Sequence, residues 1–164
     1  MSVGLAIFTL CHVASSLIGI GSALAVVMDM LKNREHSGST AVFLVATILT
    51  SVTGFLVPFH GLLPSHVLGV PSLIAPAVGV CALYFRPLAG NWYRAYTVSA
   101  ISALYFNVFV LVAQLFAKVP ALKALATTQP EGPFKLAQLG VLIAFVLVGI
   151  LAAKRSSSER VRTA

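Results

Sequence analysis

Three histidines pose the chemical question of this sequence. His60 and His66 fall in the run GFLVPFHGLLPSHVLGVP, residues 54 to 71, where two imidazoles and three prolines interrupt an otherwise apolar stretch. His12 lies much earlier, inside an unbroken apolar segment. Imidazole is the commonest metal ligand, and histidines facing each other across a helical bundle can bind haem iron. His12, His60 and His66 are therefore the candidate cofactor-binding set, for haem b or a transition metal. No carboxylate lies near His60 or His66 in sequence to orient a ligating ring. The competing reading of the same run is a hairpin: Gly61, Leu62 and Leu63 form its tip, Pro64 suits a first helical turn and Ser65 is placed to cap it.

Other chemistries find little to work with. The four acids are Asp29, Glu35, Glu131 and Glu159, which gives no carboxylate pair inside an apolar run for acid–base catalysis. Ser15 or Ser72 would have His12 as base but no acid to orient it. There is no CxxC, zinc spacing, P-loop or dinucleotide fingerprint. The two cysteines, Cys11 and Cys81, read as small buried residues too far apart to bridge. The chain thus reads as non-enzymatic.

The elements that must position these residues are set by composition. Of 164 residues 59% are hydrophobic and 9% charged, against about 25% charged in soluble domains. A membrane-crossing helix needs roughly 20 mostly apolar residues, and five such runs are present: Val3 to Met30, Thr40 to Phe59, Ser65 to Phe85, Ala95 to Ala117 and Phe134 to Ala153. The expected fold is all-α, a bundle of five transmembrane helices over residues 1–153 with a basic tail over 154–164. Four crossings is the alternative, should residues 54 to 71 be re-entrant.

The net charge of +7 does not suggest nucleic acid, because the basic residues sit at helix ends. Lys32, Arg34, Arg86, Arg94, Lys154, Arg155, Arg160 and Arg162 fall on one side; Lys118, Lys123 and Lys135 fall on the other. The positive-inside rule places the N-terminus outside and the C-terminus in the cytoplasm. Tyr84, Trp92, Tyr93 and Tyr96 bracket the loop after the third run, as an interfacial aromatic belt does. The tail KRSSSERVRTA is expected to be disordered or to rest on anionic headgroups.

Inside lipid, polar side chains turn inward and small residues allow close helix approach. The expected interior faces are His12, Ser15, Ser16, Gly19, Ser22 and Ala23; Thr47, Thr50, Ser51, Gly54 and Pro58; Ser65, Gly69, Ser72, Pro76 and Gly79; Ala100, Ala103, Asn107 and Gln114; and Gly140 with Ala144. Nine residues of helix cover about 13 Å. Counted from their outer ends, His12, Thr50 and Asn107 reach a common depth, and with Ser15, Ser51 and Ser72 they are expected to form one intramembrane polar layer. Gln114 and Gln138 lie nearer the outer mouth, where they are expected to hydrogen-bond to each other. Above them VPALKALATTQPEGPFK is expected to begin with a short interfacial helix, Leu122 and Leu125 down and Lys123 up, and to continue as an irregular turn.

The segments TGFLVPFHGLLPSHVLG and LYFNVFVLVAQLFAKVPALKALA resemble small uncharacterised polytopic inner-membrane proteins of bacteria. The resemblance implies a multi-pass protein of the bacterial inner membrane and carries no catalytic or binding residue. Its partners are then the lipid bilayer and, through the small-residue faces, a second copy or another membrane protein. The leading expectation is a self-associating or accessory subunit of a membrane complex; the alternative is a haem-, metal- or small-ligand-binding protein, redox or transport-linked, using the outer-leaflet histidines.

Overall fold

Each apolar run becomes a helix over nearly its whole length. The computed structural model describes residues 3–32, 38–56, 64–85, 90–127 and 131–162, and only the backbone of 55, 64–68 and 155–162. Its elements are α1 (Val3–Lys32), α2 (Ser39–Leu56), α3 (Pro64–Tyr84), α4 (Asn91–Lys118), the short α5 (Pro120–Leu125) and α6 (Gly132–Arg162), with no strand among the described residues. Val3–Lys32, Asn91–Lys118 and Gly132–Lys154 are long and apolar enough to cross a membrane, while Ser39–Gly54 and Gly69–Tyr84 are shorter apolar helices.

Helix starts follow local chemistry. Pro64 and Pro120 occupy first-turn positions, where the missing N–H would have had no intrahelical partner. Gly90, before α4, has φ 58° and ψ −127°, a backbone region open essentially to glycine alone. At the other extreme, α6 does not stop where its apolar run ends. Helix continues through the basic tail to Arg162, which corrects the expectation of disorder there: no glycine or proline follows Gly149, and AAKR is a run of strong helix formers.

Neighbouring helices run antiparallel, as contact pairs show. Gly19 faces Ala46 and Thr47, whereas seven residues earlier His12 meets Thr53 and Gly54, seven residues later on α2. On α2 and α3, Ser51 meets Ser72 and Leu44 meets Gly79. On α4 and α6, Phe116 stacks on Phe134 at 5.5 Å and Tyr105 on Phe145 at 5.7 Å. α1 and α6 therefore run the same way, and the start of α1 and the end of α6 lie at opposite ends of the bundle.

α4 is the central helix, packing on α1, α3, α5 and α6. Its buried residues, Tyr96 to Asn107, lie from near its start to just past its middle, and those of α1, Gly19 to Met30, in its second half. Both sets fall toward the end where α3 passes into α4, here termed the packed end. The opposite end, carrying Val3, Leu56, Lys118 and Gly132, is termed the polar end.

Three expectations about faces are corrected. Tyr96 is fully buried rather than part of an aromatic belt, because it shares the α4 face of Ala100, Ala103 and Asn107; its hydroxyl lies beside that of Thr40. Cys11 and Cys81 are exposed on the outside of the bundle rather than buried. Gly140 and Ala144 are exposed as well, because α6 meets α4 through Phe134, Gln138 and Phe145, and that aromatic face turns the small-residue pair outward.

Candidate functional site

The polar residues of the bundle form a ladder rather than a layer. Thr47, Thr50, Ser51, Thr53 and Gly54 all lie on α2, and six residues from Thr47 to Thr53 rise about 9 Å. Each level bonds to a different helix.

At the deepest level Asn107 Nδ2 donates to Thr47 Oγ1 at 3.2 Å, tying α4 to α2. Gly19 of α1 closes this level, since a Cβ there would lie 3.4 Å from the same Thr47 oxygen. One turn nearer the polar end, Ser51 Oγ donates to the backbone oxygen of Ser72 at 3.2 Å. The reason is in the α3 sequence: the residue four places after Ser72 is Pro76, which has no N–H, so the Ser72 carbonyl loses its helical donor. Ser51 supplies a donor from the neighbouring helix, a common repair for proline in membrane helices. Ser72 Oγ itself donates to Gly69 O at 2.7 Å. Thr50, on this level, is buried and its hydroxyl has no partner among the described residues.

The uppermost level is His12. Its Nδ1 lies 2.8 Å from Thr53 Oγ1, and its ring packs over Gly54, where a Cβ would sit 3.6 Å from Cε1. Thr53 is six residues beyond Thr47 on α2, so His12 lies about 9 Å nearer the polar end than Asn107. The depth counted along α1 therefore places His12 too far into the bundle. His12 sits toward the polar end, while Asn107 lies near the middle of α4.

The remaining candidates are separate. Ser15 lines an open apolar groove between α1 and α2 with Ile18, Ala41, Val42, Val45, Ala46 and Leu49, away from Asn107. Gln114 is exposed, and Gln138 is buried with its Nε2 donating to Phe109 O at 3.0 Å. The expected bond between the two glutamines is absent because Gln138 turns inward to α4 while Gln114 turns out. The buried Gln138 Oε1 has no partner among the described residues. His60 and the side chains of His66 and Ser65 lie outside the described residues, so the two-histidine arrangement is not described. Among the described residues no three of His, Cys, Asp and Glu gather where a metal ion could be held.

Above the polar end, α5 forms where an interfacial helix is expected, with Lys123 and Leu125 both exposed. The chain then returns through a clamp: Glu131 accepts from Thr127 N at 3.2 Å and from Thr127 Oγ1 at 2.7 Å, and its own carbonyl receives Lys135 N.

Thr53 is the functional candidate that sequence reasoning missed. Threonine in a helix commonly donates to the carbonyl four residues back, as Thr53 does to Leu49 at 2.7 Å, so its spacing carried no sign of a second helix. The usable signal is Gly54 beside it, a gap at the end of a helix into which a ring fits. No family model, curated protein or solved structure matches this chain.

Proposed function

We propose that this is a non-enzymatic polytopic protein of a bacterial inner membrane, crossing five times with its polar end outside, that acts by associating with a second copy or with a larger membrane complex. The lengths of α2 and α3 support five crossings: 18 and 21 residues reach about 27 and 31 Å, close to the roughly 30 Å of a bilayer's hydrocarbon core. Antiparallel neighbours and termini at opposite ends agree with an odd number of crossings.

The observation that carries the association reading is the outward face of α1. Gly4, Ile7, Cys11, Ala14, Ile18 and Gly21 recur at alternating intervals of three and four, and all are exposed. That is the interval of a left-handed helix seam, and glycine, cysteine and alanine there let a partner backbone approach, as at helix interfaces in lipid.

Cys11 makes the test direct. In a Cys81→Ser background, mild oxidation of intact membranes is expected to give a dimer crosslinked through Cys11, and Ala14→Leu is expected to reduce it strongly. An uncrosslinked chain that also runs as a lone monomer in mild detergent overturns the association reading. An absorption spectrum of the same preparation addresses the cofactor alternative, which a Soret band lost in His12→Ala would put in its place.

A further inference from the structure

The seam on the outward face of α1 has unlike flanks. Along one side Val3, Leu10, Leu17 and Leu24 recur at every seventh place, each more than half exposed, and so form a ridge. The same spacing brings Ser15 and Ser22 to the opposite flank. Between that flank and α2 runs an open apolar groove of about 430 Å³, lined by Ser15 and Ile18 of α1 and by Val42, Val45, Ala46 and Leu49 of α2. Ile18 belongs to the seam as well, so seam and groove form one continuous surface.

Ridge and groove stand at the same depth. Gly19 faces Ala46 and His12 meets Thr53, and each step along α1 is matched by one step back along the antiparallel α2. Leu17 is therefore level with Ile48 and Leu49, and Leu24 with Ala41 and Val42. These are the two ends of the groove. Two copies in one membrane share an orientation, so a two-fold axis along the membrane normal sets like depths side by side. In such a parallel pair the ridge flank of each α1 lies against the groove flank of the other.

We propose that a second copy of this chain occupies the groove, its Leu17 and Leu24 seated between α1 and α2 while the two α1 seams meet. This inference rests on the association reading above and narrows the partner to a second copy in a parallel two-fold pair. One chain carries both halves of the contact at matching depth, as a self-complementary interface requires. Ser15 and Ala46 are small, which leaves room for a leucine side chain between the helices. A lipid tail lying in the same groove has no fixed depth, whereas the leucines of a second copy do.

Depth-matched crosslinking tests this. Two differently tagged full chains, both with Cys11→Ser and Cys81→Ser, are co-expressed, one with Leu17→Cys and the other with Leu49→Cys, and intact membranes are treated with a short thiol-to-thiol reagent. A dimer carrying both tags is expected, and likewise for Leu24→Cys with Val42→Cys. The crossed pairs, Leu17→Cys with Val42→Cys and Leu24→Cys with Leu49→Cys, lie about 10 Å out of level and are expected to give several-fold less. All four positions are exposed, so the substitutions leave the core intact. A second measurement keeps the native Cys11 in a Cys81→Ser chain: Leu17→Ala with Leu24→Ala, or Ser15→Phe to fill the groove, is expected to lower the Cys11-linked dimer several-fold. Equal yields from matched and crossed pairs overturn the proposal and leave the groove to lipid. A Cys11-linked dimer without any matched two-tag product, or one unmoved by these variants, overturns the groove contact while the association reading stands. A chain that neither crosslinks through Cys11 nor self-associates in mild detergent overturns both.

Discussion

The two ends of the bundle are held by different forces. At the packed end Val26 and Met30 of α1, Phe43 and Leu44 of α2, Ala82 of α3, Tyr96, Ala100 and Leu104 of α4 and Ala152 of α6 form one buried cluster. Alanines at 82, 100 and 152 let backbones approach, and Phe43 and Tyr96 fill the space between them with no exposure at all. At the polar end the helices meet through single hydrogen bonds, His12 to Thr53, Ser51 to Ser72 and Gln138 to Phe109, and through the Phe116–Phe134 ring contact. Lipid tails are as apolar as leucine, so helix association in a membrane draws on van der Waals fit and interhelical hydrogen bonds rather than on hydrophobic burial. This chain relies on the first at the packed end and adds more of the second toward the polar end.

The contrast can be broken by substitutions at each end, read as unfolding free energy in a bilayer mimetic. The largest effect is expected at Phe43→Ala, where an emptied site in a close-packed core costs about 3 kcal/mol. Next is Gly79→Ala, which would place a Cβ 3.1 Å from Ser99 Oγ; Ser99 already donates to Tyr96 O at 2.9 Å, so overpacking is expected to cost about 1 kcal/mol. Ser51→Ala should cost about 0.6 kcal/mol, the scale of a single interhelical hydrogen bond in a membrane. A double-mutant cycle sharpens this: with Pro76→Ala the backbone regains its own donor, and removing Ser51 should then have little effect. Smallest is Gly54→Ala, within about 0.5 kcal/mol because its Cβ meets His12 at ordinary contact distance. A Ser51→Ala cost as large as that of Phe43→Ala would abolish the distinction between the ends.

The helices were legible because apolar length is a property of one segment. Val3 to Met30 and Thr40 to Phe59 were expected where Val3–Lys32 and Ser39–Leu56 are found, and the short helix after Lys118 was expected as well. What could not be read was rotation and register between segments. Gly140 and Ala144 have the spacing of a packing face, yet the rings of Phe134 and Phe145 decide which side of α6 meets α4. Gln114 and Gln138 share a level but not a direction. His12 was counted from the start of its own helix, whereas its depth depends on how far α1 runs past α2. The same limit hid Thr53, whose role exists only once α1 is laid against α2.

The missing donor at Pro76 also bears on how the chain is built. On the five-crossing reading proposed above, α3 standing alone in lipid would carry the bare Ser72 carbonyl into hydrocarbon, where an unsatisfied backbone group costs several kcal/mol. Ser51, the group that relieves it, belongs to the preceding helix. Synthesis runs from α2 to α3, so the donor is already in place when the carbonyl arrives, and integration of the two helices as a joined pair spares the second from ever facing lipid unaided. The proline is thus a defect in one segment and a reason for two segments to enter the bilayer together.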